Sequence, residues 1–87
     1  MTTLDTIHLV GKYTFLWKTP TAISLPARVE AITSVSNPVS YEVLGDLPEG
    51  LTFAEGQFEG SVTEPVKITV RAYDGVTRVA RSFTIQP

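Results

Sequence analysis

Seven consecutive residues, Leu47-Pro48-Glu49-Gly50-Leu51-Thr52-Phe53, constrain the fold of this chain more than any others. Pro48 presets its own φ, and Gly50 can adopt the positive φ that side-chain-bearing residues avoid. Leu51 and Phe53 are two residues apart, so they fall on one face of the strand that follows. The stretch reads as a tight corner between two strands of a small β-sandwich. Pro48, Gly50, Leu51 and Phe53 are therefore structural residues, and none of them is assigned a ligand.

The rest of the chain carries the same period of two. Tyr13-Thr14-Phe15-Leu16-Trp17 is a strand pattern that stops at Thr19-Pro20. Leu25, Ala27, Val29 and Ala31 alternate with Pro26, Arg28, Glu30 and Ile32, which predicts one strand with the first set facing a core. After a turn cluster at Ser34–Pro38, the residues Val39, Tyr41 and Val43 alternate with Ser40 and Glu42. Short strands flank Glu55-Gly56. Val66, Ile68, Val70 and Ala72 form the clearest inward row, and Asp74-Gly75 signals a hairpin turn. A last strand from about Thr77 to Ile85 turns Val79, Phe83 and Ile85 inward. Arg81 shares that parity, which predicts a bulge or a position near the end of the domain. About seven strands at 8–12-residue spacing, with β-branched residues and Pro interrupting every helical window, predict an all-β, antiparallel sandwich over residues 13–87.

Composition narrows the class. The 87 residues suffice for one domain. There is no cysteine, so neither a disulfide nor a thiolate–metal site can hold the fold, and packing and strand pairing must do so. The net charge is −2 with both signs scattered, which argues against nucleic-acid binding. No apolar run approaches the roughly 20 residues of a membrane-spanning helix, so no membrane insertion is expected. Met1-Thr2-Thr3-Leu4-Asp5 lacks the basic and apolar regions of a signal peptide. Met1 favours a complete small protein over an excised module.

Several fragments, taken in order, resemble the He_PIG type of immunoglobulin-like domain, which is related to cadherin-like and dystroglycan-type modules. Trp17-Lys18-Thr19-Pro20 is similar to that family's opening W-x-T-P, and Tyr41-Glu42-Val43 to its Y-x-hydrophobic strand. The Leu47–Phe53 corner resembles LP-x-GL-x-hydrophobic, the most specific element. Phe58-Glu59-Gly60-Ser61 occupies the place of G-x-(I/L)-x-G-x-P, while Val70–Asp74 and Arg81–Ile85 resemble the last two strands. The likeness covers about Phe15 to Ile85. Pro65 arrives late, and residues 1–13 have no counterpart. The resemblance implies an immunoglobulin-like topology and a binding or spacer role in adhesins, cell-surface proteins and phage tail or fibre proteins. It does not imply catalysis.

No chemistry competes with that reading. The one histidine, His8, precedes the domain, and no Ser or Thr sits in a Gly-x-Ser-x-Gly context. The pairs Asp46/Glu49 and Glu55/Glu59 read as solubilising loop charge, because paired acid–base carboxylates need a dry cleft. Calcium is disfavoured: the acidic clusters are missing, and Asp74 is better placed to bond its own turn. Phosphate-binding loops are absent. The reading is of a non-enzyme with no cofactor and no metal.

Function is expected in residues 1–12, where Leu4, Ile7, Leu9 and Val10 are apolar residues without a place in the sandwich, and Gly11 is a possible hinge. They form either an arm that adds a strand to a partner's edge or an extra strand paired within their own domain. Two roles follow. One is a small phage virion subunit of a tail, fibre, baseplate or head decoration, acting through protein–protein contacts in a larger assembly or a homo-oligomer. The other is a glycan- or peptide-binding module of a cell-surface adhesin, using the Ser34–Pro38, Glu55–Gln57 or Asp74–Thr77 loops.

Overall fold

A computed structural model describes residues 13–87. Among these residues there is no helix, and nine short strands run in chain order: β1 (Phe15–Trp17), β2 (Ala22–Ser24), β3 (Ala27–Arg28), β4 (Ala31–Thr33), β5 (Ser40–Leu44), β6 (Leu51–Ala54), β7 (Gln57–Gly60), β8 (Val66–Tyr73) and β9 (Arg78–Gln86). The fold is all-β, as the alternation predicts. The strands form a four-stranded sheet in the order β2-β9-β8-β5, a three-stranded sheet β3-β7-β6, and a two-stranded ribbon β1-β4.

The strongest alternation makes the longest pairing. β8 and β9 match without interruption from Val66↔Ile85 to Tyr73↔Arg78. Ile68, Val70, Ala72, Phe83 and Ile85 point inward and are buried. They meet Val29, Leu51 and Phe58 from the other side, so the four-stranded and three-stranded sheets share one core. Phe15, Ala31 and Ala72 make a second, smaller cluster toward the β8–β9 turn. Phe58 is fully buried, with its ring centroid 4.6 Å from that of Phe53.

Three sequence expectations are corrected. The stretch from Leu25 to Ala31 is two strands and not one: β3 pairs with β7, whereas β4 pairs with β1. Its parity nevertheless holds, since Val29 and Ala31 are buried while Arg28, Glu30 and Ile32 are exposed. Second, the sheets are not wholly antiparallel, because β2 pairs parallel with the end of β9. Third, Arg81 needs no bulge. The β8–β9 ladder passes it in regular register, and its guanidinium donates to the Thr19 carbonyl at 3.1 Å along the side of the sheet. That carbonyl accepts the charge where the chain crosses from β1 to β2.

The Leu47–Phe53 corner forms as read. Leu51 N–H donates to the Pro48 carbonyl at 3.2 Å, and Gly50 has φ +92°. Leu51 enters the core and Phe53 packs beside it. Gly60 is the residue whose necessity the sequence concealed. It is the register partner of Leu51, has φ +115°, and a Cβ there would overlap the Gly50 carbonyl oxygen.

Candidate functional site

The two candidate loops Ser34–Pro38 and Asp74–Thr77 lie together at one end of the domain, fastened through Asp74. This residue is fully buried. Its Oδ2 accepts from the Tyr13 hydroxyl and from the Thr33 hydroxyl, each at 2.6 Å. Its Oδ1 accepts from the backbone N–H groups of Val76 and Thr77, each at 2.9 Å. Asn37 Nδ2 donates to the Asp74 carbonyl at 3.0 Å, which ties the other loop to the same point. The expected turn is thus an Asx-type turn with two further hydroxyl donors added.

This arrangement sets the charge state. Burial pushes the Asp74 carboxyl up, but the Thr33, Tyr13, Thr77 and Val76 donors outweigh it and hold the group well below the usual carboxylate range. Burial of the phenol end and the adjacent carboxylate push Tyr13 up to about 12. With both oxygens of Asp74 already accepting two hydrogen bonds each, the carboxylate has no lone pair directed at solvent for a metal. Among the described residues, no three His, Cys, Asp or Glu side chains converge on a common point. Asp46, Glu49, Glu55 and Glu59 are exposed.

Around Asp74 the surface is aromatic and apolar. Tyr13, Tyr73 and Val76 are exposed, and the Arg78 guanidinium lies 4.5 Å from the centroid of the Tyr73 ring. The third candidate loop does not join this end. Glu55-Gly56 is a two-residue turn with positive φ at both positions, 48° and 86°, and Gly56 sits against the Val29 carbonyl and the Tyr41 ring. It borders a groove of about 360 Å³ lined by Arg28, Val39, Ser40, Tyr41 and Glu55. The Tyr41 hydroxyl crosses from β5 to accept the Ala31 N–H at 3.1 Å, and Arg28 donates to the Glu55 carbonyl at 3.1 Å.

The arm residues Leu4, Ile7, Leu9 and Val10, and His8, lie outside the described residues. The root of that segment is described, however: it joins the domain at Tyr13, whose hydroxyl is fixed on Asp74. Trp17 is half-buried and packs against both core clusters. Its ring lies 5.2 Å from Phe83 and 6.0 Å from Tyr41, centroid to centroid. Sequence reasoning missed Thr33 and Tyr13 as partners of Asp74; they are 41 and 61 residues away in the chain, and only the folded register unites them.

Outward on β1 and β4, Leu16 and Ile32 are direct cross-strand partners and are 64% and 50% exposed. Below them Lys18 and Glu30 face each other at 3.8 Å.

No family model matches this chain, no curated protein matches it, and no solved structure matches it.

Proposed function

We propose that this chain is a non-catalytic attachment module: an immunoglobulin-like β-sandwich that serves as a small subunit of a larger assembly through protein–protein contacts. The observation that carries the reading is the fastening of Tyr13 to the buried Asp74 carboxylate, which gives the apolar segment before it a fixed point of departure from the domain. A contact segment is most effective when its root is preorganised, because less ordering entropy is lost on docking.

The immunoglobulin-like topology is supported by the strand order. The N-terminal part of the chain divides between layers, β1 pairing with β4 and β2 with β9, while β5, β8 and β9 share a sheet and β3, β7 and β6 another. A virion setting, as part of a tail, fibre, baseplate or head decoration, rests on the resemblance of the Trp17–Pro20 and Leu47–Phe53 motifs. Size-exclusion chromatography with light scattering tests it. An oligomer, or co-purification with a much larger protein, is the expected outcome; a monomer with neither property contradicts it.

One observation favours a second reading, a glycan- or peptide-binding module of a cell-surface adhesin. Tyr13, Tyr73 and Arg78 surround the junction of two loops, and exposed Tyr and Arg side chains are common anchors in recognition surfaces. Binding on a glycan array that is lost in Tyr73→Ala selects this alternative.

A further inference from the structure

Glu55 holds a backbone conformation that its side chain does not favour. It stands first in the two-residue turn between β6 and β7 at φ 48°, where Asn, Asp or Gly is the usual choice. Nothing in the turn compensates. Among the described residues the Glu55 carboxylate accepts no hydrogen bond and joins no ion pair; only its backbone carbonyl is engaged, by Arg28. Residues kept in strained positions against local preference are characteristic of functional sites.

Glu55 lines the groove of about 360 Å³ together with Arg28, Val39, Ser40 and Tyr41. Ligand clefts run from about 300 to 1,000 Å³, so this one suits a single ring-sized unit. Its walls are fixed before any ligand arrives. The Tyr41 ring is held at its hydroxyl by the Ala31 N–H at 3.1 Å and has Trp17 at 6.0 Å, centroid to centroid. The turn is pressed onto that ring: a Cβ at Gly56 would lie 3.3 Å from it and 3.1 Å from the Val29 carbonyl oxygen. Arg28 is tied to the turn by its 3.1 Å bond to the Glu55 carbonyl, yet it forms no ion pair with the Glu55 carboxylate. The lining thus combines a guanidinium, a carboxylate and a hydroxyl with one aromatic and one aliphatic side chain, and carries no net charge.

We propose that this groove binds one neutral pyranose unit of a glycan. The proposal rests on the glycan-binding reading and extends it from the Tyr73 surface to a second contact. Neighbouring hydroxyls on a sugar ring each donate and accept. An ionised carboxylate only accepts and a guanidinium only donates, so Glu55 and Arg28 together match such hydroxyls, and Ser40 can do either. The C–H face of the ring is apolar and matches Tyr41 and Val39. In so small a groove a charged sugar meets a like charge: a uronic acid meets Glu55, and an ammonium-bearing sugar meets Arg28. The opposed charges therefore select a neutral ring. Ser40 joins the two contacts, because it lines the groove and is the register partner of Tyr73.

Titration of the isotope-labelled full chain with the methyl glycosides of glucose, galactose and mannose, followed through backbone amide shifts, tests the proposal. At least one of them is expected to shift the amides of Ser40, Tyr41, Glu55 and Gly56 together, and methyl glucuronate is expected to bind more weakly. Glu55→Asn suits the turn better than Glu. It is therefore expected to melt no lower than the unaltered chain and yet to bind the glycoside about tenfold more weakly, the worth of a hydrogen bond to a charged group. Binding that Glu55→Asn leaves unchanged, or shifts confined to Tyr73 and Arg78, overturns the groove while the glycan-binding reading stands. Tighter binding of the glucuronate than of every neutral glycoside overturns it as well. If no glycoside shifts any amide up to its solubility limit, the groove is overturned, and if a glycan array is also blank, the glycan-binding reading falls with it.

Discussion

At the scale of single residues, two positions show how little freedom the backbone leaves. Gly60 combines a φ of +115° with the Gly50 carbonyl where a Cβ would go. Gly60→Ala is expected to cost about 3 kcal/mol or more, from backbone strain and overlap together, and chemical denaturation measures it. Glu55 presents the opposite case. It holds φ 48° in a two-residue turn that favours Asn, so Glu55→Asn should raise stability by up to about 1 kcal/mol. Asp74 is the residue on which the candidate site depends. Asp74→Ala leaves two hydroxyls and two backbone N–H groups without their acceptor, and a fall in Tm on the order of 10 °C is expected. Because the carboxyl is held below its ordinary value of 3.8 in the folded state, its contribution is complete above that pH and is lost as pH falls further. A series of melts at decreasing pH should therefore show a steeper acid loss in the unaltered chain than in Asp74→Asn. For Tyr13 the sign is reversed: its raised value makes its contribution complete below pH 10, to be lost toward about 12. The Asp74-Gly75 turn was legible in the sequence because its donors are two and three residues away. The links to Tyr13 and Thr33 were not, since no local pattern announces a hydrogen bond across 61 or 41 residues.

At the scale of elements, legibility followed length. β5, β8 and β9 span five, eight and nine residues, long enough for alternation to declare both the strand and its inward face. β2 was not foreseen. Its three residues bury only Ile23 between exposed Ala22 and Ser24, and its parallel partner is some sixty residues later. The single expected strand from Leu25 to Ala31 failed for a related reason: side-chain parity reports the face a residue occupies, not which neighbour its backbone pairs with. Phe58 binds β7 into the core with no exposed surface, so Phe58→Ala should cost about 3–5 kcal/mol. Against a total stability of about 4–13 kcal/mol for a chain of 87 residues, that variant should be largely unfolded at 37 °C by circular dichroism.

At the scale of the whole molecule, the hydrophobic core and the proposed attachment point occupy different residues. Phe58, Phe83, Ile85, Val29 and Val70 are spent on holding the sheets together. The feature proposed for attachment is the Tyr13 root, which is exposed and lies outside both core clusters. This separation is the central claim, since it requires the segment before the domain to serve contact and not folding. The most direct measurement removes residues 1–11 and records far-ultraviolet circular dichroism, Trp17 emission and mass by light scattering on the same sample. A β-sheet spectrum, a cooperative melt with Trp17 still shielded against Phe83 and Tyr41, and loss of assembly are the results the account predicts. An unfolded chain, or one that assembles as before, would contradict it.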